Sequence, residues 1–210
     1  MEYIASKCPN AEIEISTNMS MLDAARQAKL SRFKLTELRM SVFGFSDYGH
    51  KKIMRGLDWK KVKNNLDYLA SNFDLRSNIE TLSLVMIDYP GIDKSDIESA
   101  KKYCSDNGIK FEFWGFLDRA GSVRGLSNNF YREIVHGCEQ RRPFERMHIT
   151  FDGKVVLCCM DWFRQHILGE ADKQTLDEIW RSDRYIKIRE LISSGTNRCP
   201  EICKRCKISI

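Results

Sequence analysis

The chain has 210 residues, of which 42% are hydrophobic and 30% charged, with a formal net charge of +5. That size and balance describe a soluble globular protein able to bury a core without covalent staples, which argues against a small secreted disulfide scaffold. No run approaches the roughly 18 apolar residues of a membrane span, and the start, Met1 to Pro9, lacks the basic-then-apolar pattern of an export signal, so the expected address is the cytoplasm. The basic residues are scattered among 29 acidic ones and cluster only at 60–63, at 140–142 and around Cys206, which is not the continuous basic stripe of a nucleic-acid binder.

From residue 11 to about 135 strand-like and helix-like segments alternate, the pattern of a parallel α/β architecture. Ala11 to Ser16 reads as a first strand and Met21 to Arg32 as a helix; Leu35 to Phe45 is the second strand and closes in the turn-rich run Gly44 to Gly49. Trp59, Val62, Leu66, Leu69 and Phe73 recur at helical spacing behind the N-cap residue Asp58. Thr81 to Ile87 is a third strand, nearly continuous in β-branched and aliphatic residues as a strand covered on both faces would be. Asp93 to Asn107 follows as a helix ended by Gly108, with Cys104 on its apolar side as a core residue. Lys110 to Leu117 is the fourth strand, the loop Asp118 to Ser122 follows it, and Phe130 to His136 reads as one short helix.

After Cys138 the texture changes. Arg146 to Phe151 and Lys154 to Cys159 flank Asp152-Gly153, a hairpin signal. Thr175 to Glu178 is a capping box opening a helix that runs to Gly195. A boundary is therefore expected near 136–140, separating a partial (β/α) barrel of about four parallel strands over 1–137 from a small hairpin-and-helix metal module over 138–210. Four parallel strands leave an open edge, so the barrel half reads as incomplete: either more chain precedes it or a partner completes it.

Cys138, Cys158 and the pair Cys203 and Cys206 are spaced as a closed metal site, with turns supplied by Asp152-Gly153 and by Arg198-Cys199-Pro200. Cys158 and Cys159 point to opposite sides of an extended strand, so one of them faces the metal, and Gly153 standing five positions before Cys158 favours that one. Cys199 is a competing ligand and Cys8 has no evident partner. Spacing alone leaves zinc and an iron-sulfur cluster open, because both accept four thiolates. Cations near the cysteines would stabilise an anionic cluster.

The same stretch resembles the auxiliary-cluster domain, SPASM or twitch, of the radical S-adenosylmethionine enzymes. The resemblance is carried by Cys138, by Gly153-x4-Cys158, by Leu168-Gly169-Glu170, by Thr175 to Trp180, by Arg189 and by the closing Cys203-x2-Cys206. Upstream, Ile15 to Asn18 resembles a strand ending in Thr-Asn-Gly, with Met19 in place of the glycine; Leu38 to Val42 resembles the next strand, and His50 to Arg55 the segment after it. The resemblance implies a 4Fe-4S auxiliary cluster on Cys138, Cys158, Cys203 and Cys206, which moves the choice of metal away from zinc. It also implies cofactor contacts from Asn18, Ser41 and Arg55. In the family the CxxxCxxC motif that binds the cluster cleaving S-adenosylmethionine lies upstream of the strand resembled by Ile15 to Asn18, where this sequence has only Cys8, so the chain is expected to act with a missing barrel portion or partner subunit carrying that motif, on a peptide or small carbohydrate.

Other residues carry weaker expectations. Asp88, Asp118 and Arg119 fall at predicted C-terminal strand ends, where barrel enzymes place their active sites. His136, His148 and His166 lack ligand-like spacing, and Trp114 and Trp162 are expected near the cluster or a substrate mouth. The rival function is a zinc-stapled α/β module that binds nucleic acid or a protein.

Overall fold

The computed structural model describes residues 1–123 and 130–210. The chain divides into two compact units, Met1–Phe116 and Leu117–Ile210. In the first, a short helix α1 (Glu2–Lys7), not expected from the sequence, precedes β1 (Glu14–Thr17), α2 (Ala24–Leu30), β2 (Leu35–Ser41), α3 (Asp47–Ile53), α4 (Trp59–Ser71), α5 (Phe73–Arg76), β3 (Ile79–Asp88), α6 (Lys94–Asn107) and β4 (Lys110–Gly115). The strands form one parallel sheet in the order β1-β2-β3-β4. This is the expected partial barrel: each strand pairs with the next in sequence, with helices between them.

Local chemistry explains the boundaries. Asp23, Ser46, Asp58 and Asp93 cap α2, α3, α4 and α6 by accepting first-turn amides, and Gly108 ends α6 in the left-handed conformation at φ +61°. β2 stops at Ser41, sooner than expected, because the chain turns there into α3. Gly44 in that turn passes against the backbone of α3 so closely that an added Cβ would lie 2.3 Å from the Gly49 carbonyl carbon.

The two faces of the sheet differ. Leu38, Met40, Leu84 and Met86 are fully buried in a core with Leu66 and Leu69 of α4 and with Ala100 and Cys104 of α6; each large apolar side chain so buried contributes about 1.5–3 kcal/mol. The alternate positions are mixed, with buried Leu35 and Val85 beside the polar Glu37, Arg39 and Ser83. Ser83 Oγ donates to Glu37 Oε1 at 2.5 Å, Arg39 pairs with Glu37, and the Arg39 guanidinium lies 5.2 Å from the Trp114 ring centre. β3 is nevertheless covered on both faces, as its sequence suggests, since the consecutive residues Ser83, Leu84, Val85 and Met86 are all buried.

The second unit contains α7 (Arg142–Glu145), β5 (His148–Ile149), β6 (Lys154–Val156), β7 (Ile167–Glu170), α8 (Leu176–Trp180), α9 (Asp183–Ser193) and α10 (Glu201–Lys204), with β5-β6-β7 as an antiparallel sheet. The hairpin turns at Gly153, φ +77°. The third strand, β7, was not foreseen. It holds the Leu168-Gly169-Glu170 motif, and Gly169 is pressed so closely by Ile179 of α8 that a Cβ would meet its side chain at 2.7 Å.

Two helix expectations are corrected. Residues 130–136 are not helical, because tertiary pairing claims their backbone: Val135 bridges Thr196, and the amides of Arg132 and His136 donate to the carbonyls of Lys204 and Ile210. The helix expected from Thr175 to Gly195 is two, broken where Ser182 caps α9 by accepting from the Tyr185 amide. Among the described residues no helix is long and apolar enough to cross a membrane.

Candidate metal centre

Distant stretches of the second unit are drawn together by backbone pairing. Cys138 forms an isolated bridge with Ser209, and the Glu139 amide donates to the Ile208 carbonyl, which brings the start of the motif beside its end. α10 carries Cys203, and the Cys206 amide donates to the Cys203 carbonyl in a tight knuckle. Cys158 follows β6. Cys138, Cys158, Cys203 and Cys206 all line one small cavity, whose wall is otherwise largely apolar and includes Met160, Ile202 and Ile208.

The sulfurs are offered donors. Backbone amides of Met160 and Ile208 hydrogen-bond to Cys158 and Cys206 respectively, which favours their thiolate forms. Burial works against this. It pushes the Cys158 thiol up to about 12, lifts Cys203 further, and raises Cys206 as well, with neighbouring thiols adding to the shift at each. Without metal the site is thus a protonated, apolar pocket, and metal uptake must expel protons.

The sign of the resulting pH dependence follows from linkage. Cys158 binds its proton more tightly folded than unfolded, where 9.0 is its ordinary value. Its contribution to stability is fully present below that value and is lost as pH rises toward about 12. Chemical denaturation of the metal-free chain is expected to show a midpoint that falls as pH rises from about 9 toward about 12. Loading should flatten that slope, because the thiolates are then ligands.

Arg142 shares the cavity wall. It is 8% exposed, and its Nε and Nη1 atoms are buried with no hydrogen-bond partner. The signal available in sequence was the pair Arg141-Arg142 shortly after Cys138, read there only as nearby positive charge. Arg189 has a different place. It lies 3.9 Å from the ring centres of both Trp180 and Tyr185, and donates from Nε to the Pro143 carbonyl and from Nη1 to the Trp180 carbonyl, each at 2.9 Å.

Other expected residues are not gathered here. Cys159 lies on a separate open pocket of about 550 Å³ with His148, Asp161, Trp162 and Arg164, which Cys158 also borders. Trp162 is 60% exposed, with the Arg119 guanidinium 5.4 Å from its ring centre. Cys199 is buried in the apolar cluster of this unit, and Cys8 is exposed. In the first unit, Thr17 pairs with Met40, so Asn18 and Ser41 follow side by side at the strand ends, whereas Arg55 lies in the exposed turn after α3. Asn18 Oδ1 accepts from the amide and hydroxyl of Ser20. All eight cysteines are free.

The residues fit an iron-sulfur centre in their chemistry: four soft thiols, amides aimed at sulfur, and an unpartnered guanidinium facing the same space. As the side chains stand, no three described His, Cys, Asp or Glu residues are disposed to hold a single metal ion. The cavity measures about 20 Å³, room for little more than one water, so loading requires the wall to rearrange.

Residues 138–207 match the family model of SPASM, an iron-sulfur cluster-binding domain. This stretch of the second unit is similar to the SPASM domain. A 58-residue stretch is 26% identical to the S-adenosyl-L-methionine-dependent 2-deoxy-scyllo-inosamine dehydrogenase of Niallia circulans, covering 28% of this chain and 23% of that protein. Across nearly the whole chain the fold matches that of BtrN in complex with AdoMet and 2-DOIA, with TM-score 0.54, 17% identity and coverage of 97% of this chain and 63% of BtrN. It also matches anSMEcpe with bound AdoMet and Cp18Cys peptide, with TM-score 0.59, 16% identity and 98% and 67% coverage. SuiB of Streptococcus suis bound to precursor peptide SuiA aligns with TM-score 0.60 at 11% identity over 93% and 52%. The chain thus shares the fold of these structures and spans about half to two thirds of their length.

Proposed function

We propose that this chain is the auxiliary-cluster portion of a radical S-adenosylmethionine enzyme, holding one 4Fe-4S cluster on Cys138, Cys158, Cys203 and Cys206. The observation that carries the reading is the convergence of these four cysteines, and no other, on one cavity wall within the segment that matches the SPASM domain. Bound there, the cluster supplies one-electron transfer beside a substrate. With four protein ligands it has no open site, so its role is electron transfer or support rather than substrate coordination.

In this reading, residues up to 137 form the barrel portion and its connection, with Asn18, Ser41 and Arg55 as candidate contacts to S-adenosylmethionine. The cluster that cleaves the cofactor is supplied by a CxxxCxxC segment outside these residues, on the same polypeptide or on a partner. The free cysteines suit a reducing cytoplasm. A similar dehydrogenase of 2-deoxy-scyllo-inosamine and similar structures bound to peptides support a small carbohydrate or a peptide as the substrate class. The test is an anaerobic cleavage assay with dithionite and S-adenosylmethionine. The chain alone is expected to form no 5′-deoxyadenosine, and addition of the CxxxCxxC-bearing portion to restore it. Turnover by the isolated chain would contradict the proposal.

A further inference from the structure

We infer that Arg142 is the built-in counter-ion of the cysteine centre, a positioning residue that sets how readily the bound cluster accepts an electron. The inference rests on the ligand assignment proposed above. Arg142 is the one charged residue on the cavity wall, where the other lining groups are thiols, apolar side chains, glycine, proline and a serine. The hydroxyl of that serine, Ser209, is already committed, donating to the Cys206 carbonyl at 2.6 Å. No carboxylate stands on the wall to take the guanidinium.

Energetics make this arrangement demand an anion. A guanidinium stays protonated at any accessible pH, and leaving it buried without a partner costs several kcal/mol. Its neighbour Arg141 shows the ordinary alternative, turning to the surface and pairing with Glu145. Arg142 instead keeps Nε and Nη1 buried and unpartnered beside four thiols. Its charge also falls on Cys158 and Cys206, where it favours the ionised form. Nearby His148 supplies no competing cation, since burial, then Arg142 and Arg146, hold its pKa below the ordinary value.

A cluster with four thiolates is anionic, and reduction adds one electron with no bond made or broken. A fixed cation at the wall therefore stabilises the reduced form more than the oxidised one. Lysine in place of arginine keeps the charge, whereas methionine keeps the approximate shape and removes it.

The full chain, reconstituted anaerobically with iron and sulfide, is titrated with dithionite as wild type, Arg142→Met and Arg142→Lys, and the cluster is followed by absorption and by electron paramagnetic resonance. Arg142→Met is expected to lower the ratio of reduced to oxidised cluster at fixed poise about tenfold, equivalent to ~59 mV for one electron, with Arg142→Lys closer to wild type. A loaded Arg142→Met cluster with the wild-type ratio would overturn the inference. If Arg142→Met does not load, iron content decides: a loaded Arg142→Lys supports a charge role, and two empty variants refute it in favour of shape. Failure of the wild type to take iron would sink the ligand assignment itself, a result distinct from any of these.

Discussion

Cys203→Ala is expected to abolish stable cluster binding, with at least a tenfold loss of iron after desalting, whereas Cys159→Ala retains the wild-type content. Cys203 stands at the middle of the group: it is 9% exposed on α10 and lies within electrostatic reach of Cys138, Cys158, Cys199 and Cys206. Removing it takes a ligand from a buried part of the wall. Cys159 borders the open pocket instead, and its loss costs only a small, partly exposed thiol. Because the site is not preformed without metal, losing the cluster should also lower stability, as binding free energy in such sites is folding free energy. Iron and acid-labile sulfide assays on both variants, with thermal melts, check this. Full iron in Cys203→Ala, or its loss in Cys159→Ala, would contradict the assignment.

Arg189→Ala is expected to destabilise the second unit by about 3 kcal/mol, summing two lost part-buried hydrogen bonds at about 1 kcal/mol each with a comparable contribution from the aromatic stacking. The guanidinium ties α9 to α8 through Trp180 and to α7 through the Pro143 carbonyl, and Pro143 is itself part of the cavity wall. For a unit of this size the melting temperature should fall by roughly 10 °C or more. Arg189→Lys should recover little, because an ammonium cannot donate in two fixed directions while stacking between two rings. A melt of either variant within about 1 °C of wild type would show that the clamp carries no stability.

Much of the first unit was legible because its signals are local. The helical spacing behind Asp58, the stop at Gly108 and the aliphatic run of β3 each specify an element without reference to the rest of the chain. What was missed there depends on surroundings: α1 and α3 are short, and the polar cluster of Glu37, Arg39 and Ser83 emerges only when neighbouring strands are set in register. In the second unit the hairpin at Gly153 and the capping box at Thr175 were readable, whereas β7 and the extended course of 130–136 were not, since both are fixed by pairing with distant backbone. The cysteines announced a metal by spacing. Their convergence on one wall, and the burial of Arg142 beside them, are consequences of the Cys138–Ser209 bridge that no local pattern encodes.

The most direct test is the metal content and spectrum of the whole chain reconstituted anaerobically with iron and sulfide, with zinc offered in competition. About four irons and four sulfides per chain are expected, in a tetrahedral sulfur environment with broad thiolate-to-iron absorption. One tightly held zinc per chain and no iron under those conditions would contradict the iron-sulfur reading.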